Sequence, residues 1–148
     1  MNSKPEIAFF WFRRDLRLDD NVGLFQALIS GFPVIPLFIF DDAILESLPK
    51  DDARVSFIYD SLSKINRELI KIGGSILIKN GKTEDVWKDL ITEFEIKSVY
   101  TNKDYEPYAI KRDTAIKSLL ENHKIDFYLY KDQVIFEEKE ITKADGLP

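Results

Sequence analysis

Residues 11–21 read WFRRDLRLDDN, in which three arginines (Arg13, Arg14, Arg17) interleave with three acids (Asp15, Asp19, Asp20). The stretch is dense in charge and neutral in sum, and it begins at the end of the apolar run of residues 7–12. Guanidinium groups at such a corner can grip a phosphate or carboxylate, or stack on a planar ring. The carboxylates can clasp those arginines into a structural knot, or they can accept N–H and O–H groups of a ligand. A second polar cluster, Asn102-Lys103-Asp104-Tyr105-Glu106, closes another apolar run at residues 98–101. Both readings of the corner, clasp and binding wall, stay open on these residues alone.

Several reaction types are withheld. There is no cysteine, and His123 is the single histidine, so disulfides, thiolate metal sites, imidazole clusters and most catalytic triads are excluded. Neither GxGxxG nor GxxxxGK[ST] follows the first apolar run, so the usual phosphate-cradling loops are missing. A phospho-receiver domain needs acids after its first strand and an acceptor after its third; here those places hold arginines and Asn80-Gly81. A formal net charge of −5 argues against nucleic-acid binding by this chain alone. With 45% hydrophobic and 32% charged residues, no run long enough for a membrane span and no leader pattern, a soluble, cytoplasmic protein is expected.

The elements that must position the two polar clusters alternate. Residues 7–12 and 33–40 are continuous apolar runs of the kind buried on both faces of a parallel sheet. Pro36 lacks a ladder donor, so hydrogen bonding in the second strand is expected to begin after it. Further strands are expected at 75–79, 98–101 and 126–130, and a short extended piece at 134–136. Between them lie a helix capped by Asp19 or Asp20 and ended by Gly31, a helical turn at 43–48, and a long helix opened by Asp51 or Asp52 and ended by Gly73-Gly74. A helix capped by Thr83 and one with Pro107 in its first turn complete the set. Apolar positions predict the buried faces: Val22, Leu24, Phe25, Leu28 and Ile29; then Val55, Ile58, Tyr59, Leu62, Ile65, Leu69 and Ile72; then Ala109, Ile110, Ile116, Leu119 and Leu120. Trp87 belongs to a core stripe, and His123 is a surface or capping residue.

The result is an α/β fold: a doubly wound five-stranded parallel sheet of order 3-2-1-4-5 with helices on both faces. Ligands of such sheets bind at the carboxyl ends of the strands where the order reverses. That crevice lies between strands one and four, so the two polar clusters should face each other across it.

Taken together, four landmarks resemble the DNA photolyase/cryptochrome family. They are WFRRDLRLDDN, the strand VIPLFIFD at residues 34–41, Ala53-Arg54 at the start of the long helix, and NKDYEP followed by Arg112-Asp113. The resemblance implies a Rossmann-like N-terminal antenna domain at residues 1–136. Residues 137–148 would then begin a linker to a C-terminal helical domain, absent here, that holds FAD and binds damaged DNA. In the family, light-excited reduced FAD passes an electron to a pyrimidine dimer, so the parent would be a deoxyribodipyrimidine photo-lyase and this stretch alone inactive, with no catalytic residue and no metal. The alternatives are a cryptochrome-type signalling flavoprotein with this domain as scaffold, or a stand-alone nucleotide-binding domain. Carried over by position, an antenna pocket would use Arg14, Phe38, Arg54, Asp104 and Glu106. It would suit 8-hydroxy-5-deazaflavin or FMN; folate is disfavoured because Tyr108 and Ala109 stand where folate-binding relatives carry Asn and Glu. The face meant for the helical domain would be exposed, which favours self-association of the isolated domain.

Overall fold

A computed structural model describes residues 4–13, 16–42 and 53–131. In chain order the elements are β1 (Glu6–Phe12), α1 (Val22–Leu28), β2 (Val34–Asp41), α2 (Ala53–Lys71), β3 (Leu77–Gly81), α3 (Thr83–Glu93), β4 (Glu95–Asn102), α4 (Pro107–Asn122) and β5 (Asp126–Tyr130). The five strands form one parallel sheet of order β3-β2-β1-β4-β5, as expected. No helix among the described residues is long and apolar enough to cross a membrane. The expected helical turn at 43–48 and extended piece at 134–136 lie outside the described residues.

The run IAFFWF needs no polar alternation because each face of the sheet has its own core. Ile7, Phe9 and Trp11 point into one, with Trp87 and Leu90 of α3 and Ile116 and Leu120 of α4. Ala8, Phe10 and Phe12 point into the other, with Leu24 and Ala27 of α1 and Leu62, Ile65 and Leu69 of α2. Trp11 and Phe9 both meet Trp87 edge-on, at centroid distances of 5.5 and 5.6 Å. Trp87 is therefore core, as its stripe indicated.

Several local expectations shift. Strand β2 begins at Val34, ahead of Pro36, which stands in register with Phe10; pairing with β3 starts only at Leu37. The proline thus delays one ladder and leaves the other intact. Strand β3 starts at Leu77 rather than residue 75, because the turn after α2 is longer: Gly73 takes a φ of 86° and the Ile76 amide donates to Asn66 Oδ1 at 3.0 Å. Asn80-Gly81, placed after the third strand from the sequence, belongs to that strand.

Capping also differs. Asn21 caps α1, its Oδ1 accepting the Leu24 amide at 3.0 Å, in place of Asp19 or Asp20. Helix α1 buries Gly23, Leu24 and Ala27, so Val22, Phe25, Leu28 and Ile29 are exposed instead of buried. Tyr59 and Ile110 on the other helices, and Ile72 just past α2, are likewise exposed, and Asp113 takes a buried place on α4 that the apolar count omitted. His123 ends α4, with Nδ1 2.9 Å from the Leu119 carbonyl.

Candidate functional site

Strand alternation decides which side of the sheet each polar residue at a strand end serves. Asn102 ends β4 on the α1 side. Its Oδ1 accepts the Gly23 amide at 2.9 Å, and its Nδ2 donates to Asn21 Oδ1 at 2.8 Å. Asn21 Nδ2 in turn donates to the Arg17 carbonyl at 2.9 Å. This chain of amides ties the charged corner to the end of β4 across the point where strand order reverses. A Cβ at residue 23 would sit 2.7 Å from Asn102 Oδ1, so only glycine admits that approach.

The other side carries the charge. Arg13 leaves β1 just past Phe12 and pairs with Asp113 of α4, Nη1 to Oδ2 at 2.6 Å, with both residues buried. Of the corner's own acids, Asp19 and Asp20 therefore do not clasp Arg13. Those two acids sit on the exposed turn, where the Asp20 carbonyl accepts from Arg17 Nη2 at 3.0 Å. A helix residue 100 positions downstream supplies the counter-charge because α4 packs over the Trp11 face of the sheet. Burial pushes the Arg13 guanidinium below its ordinary value and the Asp113 carboxyl above its own, and their mutual attraction opposes both shifts.

Arg112 joins the same group. Its guanidinium lies 3.9 Å from Asp41 Oδ2 and 3.7 Å from Asp113 Oδ1. Both arginines stand over the Trp11 ring, Arg13 at 4.3 Å and Arg112 at 5.1 Å from its centroid, in cation–π range. Asp41, at the end of β2, accepts from Thr83 Oγ1 at 2.7 Å and from the Tyr108 hydroxyl at 2.9 Å. Thr83 was expected to cap α3; Lys82 holds that position, and the Thr83 hydroxyl binds α3 to β2 instead. Burial, and then the bond to Asp41, raise the Tyr108 hydroxyl above its usual value.

The residues carried over as an antenna pocket distribute as follows. Arg14 lies outside the described residues. Phe38 is buried on the α1/α2 side, its ring edge-on to Phe40 at 4.9 Å. Arg54 is exposed at the start of α2. Asp104 is buried after β4, its Oδ1 accepting the Glu106 amide at 3.1 Å, and its charge acts on Arg13 and Asp113. Glu106 is exposed at the N-cap of α4. The geometry thus joins Asp104 with Glu106 and sets Phe38 on the opposite side of the sheet from Arg13. Asp41, Asn102, Tyr108, Arg112 and Asp113 were not singled out beforehand as an electrostatic group. The signal was the acid closing an apolar strand at Asp41 and the Arg112-Asp113 pair on a helix otherwise patterned for the core.

The family model for DNA photolyase matches residues 8–148. The chain is 30% identical over 148 residues to the deoxyribodipyrimidine photo-lyase of Agrobacterium fabrum, covering all of this chain and 30% of that one. Among solved structures it is similar to a bacterial class III photolyase from Agrobacterium tumefaciens, at 30% identity and a TM-score of 0.84, over 100% of this chain and 30% of that chain. It is also similar to an archaeal photolyase from Sulfolobus tokodaii with two FAD molecules, at 31% identity and a TM-score of 0.77, over 94% of this chain and 34% of that chain. The chain therefore spans about a third of the length of these relatives.

Proposed function

The chain belongs to the DNA photolyase family, and we propose that it is the N-terminal antenna domain of a longer deoxyribodipyrimidine photo-lyase. The single observation that carries this reading is that the whole chain superposes on part of a photolyase more than three times its length. Residues 1–136 form the domain and 137–148 begin the linker. FAD, held by the helical part that follows, would supply the light-driven electron that splits a pyrimidine dimer in DNA. The role of this domain is then to hold a second chromophore and to present a surface to the helical part.

The pocket would be built from Arg14, Phe38, Arg54, Asp104 and Glu106. Asp104 fits that role because it is buried and the Glu106 amide fixes its carboxylate in place before any ligand arrives. Arg54 fits as an exposed cation at the opening of α2. Phe38 fits as an apolar surface, buried in the cluster beneath α1 and α2. A flavin-type antenna, 8-hydroxy-5-deazaflavin or FMN, suits this set. Folate suits it less: Tyr108 is committed to Asp41 and Ala109 is buried, so neither position is open in the way that folate-binding relatives use it.

The exposed apolar face of α1 supports the same reading. Phe25 and Leu28 of α1 and its C-cap Ile29 are 59%, 62% and 61% exposed, which is unusual for three neighbouring large side chains. The remaining two thirds of a photolyase-length chain would cover such a face, and in its absence a second copy of the domain would.

The test is to express the gene's full-length product and the 148-residue chain side by side in the cytoplasm of a bacterial host. The long product should purify with flavin absorbance and split thymine dimers under blue light, and the short chain should do neither. A long product without flavin overturns the proposal. Flavin with no repair would instead assign the protein to the signalling cryptochromes, which share this family. Binding of AMP or ATP that depends on Arg14, in a protein without flavin, would favour a stand-alone nucleotide-binding domain.

A further inference from the structure

Helix α1 is apolar on two sides and covered on one. Leu24 and Ala27 turn into the core, whereas Val22, Phe25 and the C-cap Ile29, at steps of three and four, are exposed with Leu28 beside them. A helix that is apolar all round belongs in an interior. A cleft of about 530 Å3 lies against the uncovered side, lined among others by Leu18, Val22, Phe25 and Leu28 and by the acids Asp19 and Asp20. Tyr128 of β5, whose ring stacks on Tyr100 on the same side of the sheet, is 40% exposed as well.

The acids give the cleft a sign. Asp20 holds a left-handed backbone, φ 49°, and its carbonyl accepts from Arg17 Nη2 at 3.0 Å, so this arginine is tied to the main chain of the turn. The carboxylates of Asp19 and Asp20 are exposed, and neither is in an ion pair among the described residues. From Leu16 to Gly31 the sequence holds no lysine and no arginine except Arg17. A second copy that met this face with its own would therefore bring two more acids and no further cation. A nucleic acid would be repelled by the same carboxylates. The chemistry that completes the cleft is an apolar side with a positive charge next to it.

We propose that the α1 cleft receives one amphipathic helix from the part of the parent chain that follows residue 148: its apolar stripe covers Val22, Phe25 and Leu28, and a lysine or arginine beside that stripe pairs with Asp19 and Asp20. This rests on the reading of the chain as the first part of a longer photolyase-family protein, and it adds which element is gripped and by what chemistry. A helix laid with its apolar face in a groove is a recurrent docking mode. The large apolar side chains supply the attraction. The acids set the register of the incoming helix, because ion pairs at a wet rim contribute more to orientation than to affinity. The left-handed turn at Asp20 is then the device that holds the two carboxylates beside the apolar lining.

The experiment compares the gene's full-length product with the 148-residue chain by covalent surface labelling read by mass spectrometry. In the long product the labelling rate of Phe25 and Leu28 should fall about fivefold or more, the step from a surface position to the core of an interface. Asp19→Asn with Asp20→Asn keeps a left-handed turn that asparagine tolerates as aspartate does. It should raise the labelling rate of Phe25 in the long product about threefold or more, the loss of two exposed ion pairs, and leave the short chain unchanged. A photo-crosslinking side chain in place of Leu28 should join to a helix beyond residue 148 that bears lysine or arginine. Crosslinks confined to a second copy, or an Asn variant with the parent's labelling rate, overturn the proposal. A long product that binds flavin but is labelled at Phe25 and Leu28 as fast as the short chain overturns the docking and leaves the photolyase reading standing. Protection of both residues in a long product without flavin does the reverse.

Discussion

Gly23 and Asn102 are 79 positions apart and meet at the point where strand order reverses, the Gly23 amide donating to Asn102 Oδ1 at 2.9 Å. Neither residue is charged, yet this contact fixes the distance between the arginine corner and the loop after β4. It also sets the first prediction. In Gly23→Ala the new Cβ would stand 2.7 Å from Asn102 Oδ1 and 2.9 Å from Phe10 Cε1, so helix and strand must part. Overpacking of this kind costs about 1–3 kcal/mol. Thermal melting should show a drop of several degrees, although alanine is the better helix former. A variant as stable as the parent would show that α1 is free to slide.

The Arg13–Asp113 pair should behave as a buried ion pair does. Asp113→Ala leaves a buried guanidinium without its 2.6 Å partner, and a loss of about 3–5 kcal/mol is expected. Replacing both, as Arg13→Met with Asp113→Leu, should recover most of that loss, because two desolvation penalties vanish together. Urea denaturation of the two single variants and the double variant measures the coupling. Additive losses would mean that the pair is not coupled in solution.

Asp41 is the hub on the same side. Asp41→Ala strands the Thr83 and Tyr108 hydroxyls and weakens the hold on Arg112, whereas Thr83→Val removes one neutral donor. The Thr83 change should cost about 1 kcal/mol and the Asp41 change at least twice that. Equal effects would show that Tyr108 and Arg112 find other partners when Asp41 is gone.

Alkaline pH should expose the tyrosines. Burial raises Tyr108, Tyr128 and Tyr130 above the ordinary tyrosine value; Asp41 adds to the first, Asp126 to the second and Tyr100 to the third. Each therefore keeps its proton longer in the folded state than in the unfolded chain. Stability tied to these groups is intact below about pH 10, the unfolded value, and is lost as pH rises through the higher folded values. Absorbance at phenolate wavelengths should show a delayed fraction in the native protein that merges with the rest in denaturant. Tyr108→Phe should remove part of the delayed fraction. A single titration near pH 10 in the native state would contradict the raised values of these hydroxyls.

The exposed side of α1 makes the remaining prediction. Phe25→Lys with Leu28→Lys should raise solubility and abolish concentration-dependent association of the isolated chain, read by sedimentation, while stability stays within about 0.5 kcal/mol because neither side chain is buried. A monomer at all concentrations before substitution would show that the face does not self-associate.

By itself the sequence determined the sheet order and the two-sided core. Apolar runs such as IAFFWF have one stable setting, and right-handed crossovers leave few ways to arrange them. It also located the two polar clusters at the crevice, since both close a strand. It did not determine which charge meets which. Arg13 finds Asp113 through the packing of α4 over Trp11, a contact 100 positions away in sequence, while the nearby Asp19 and Asp20 remain in solvent. Nor did apolar counting reveal that α1 buries Gly23 and Ala27 and leaves Phe25 and Leu28 outside. Periodicity says that a helix has an apolar stripe; tertiary structure decides whether that stripe meets this domain's core or stays exposed at its surface.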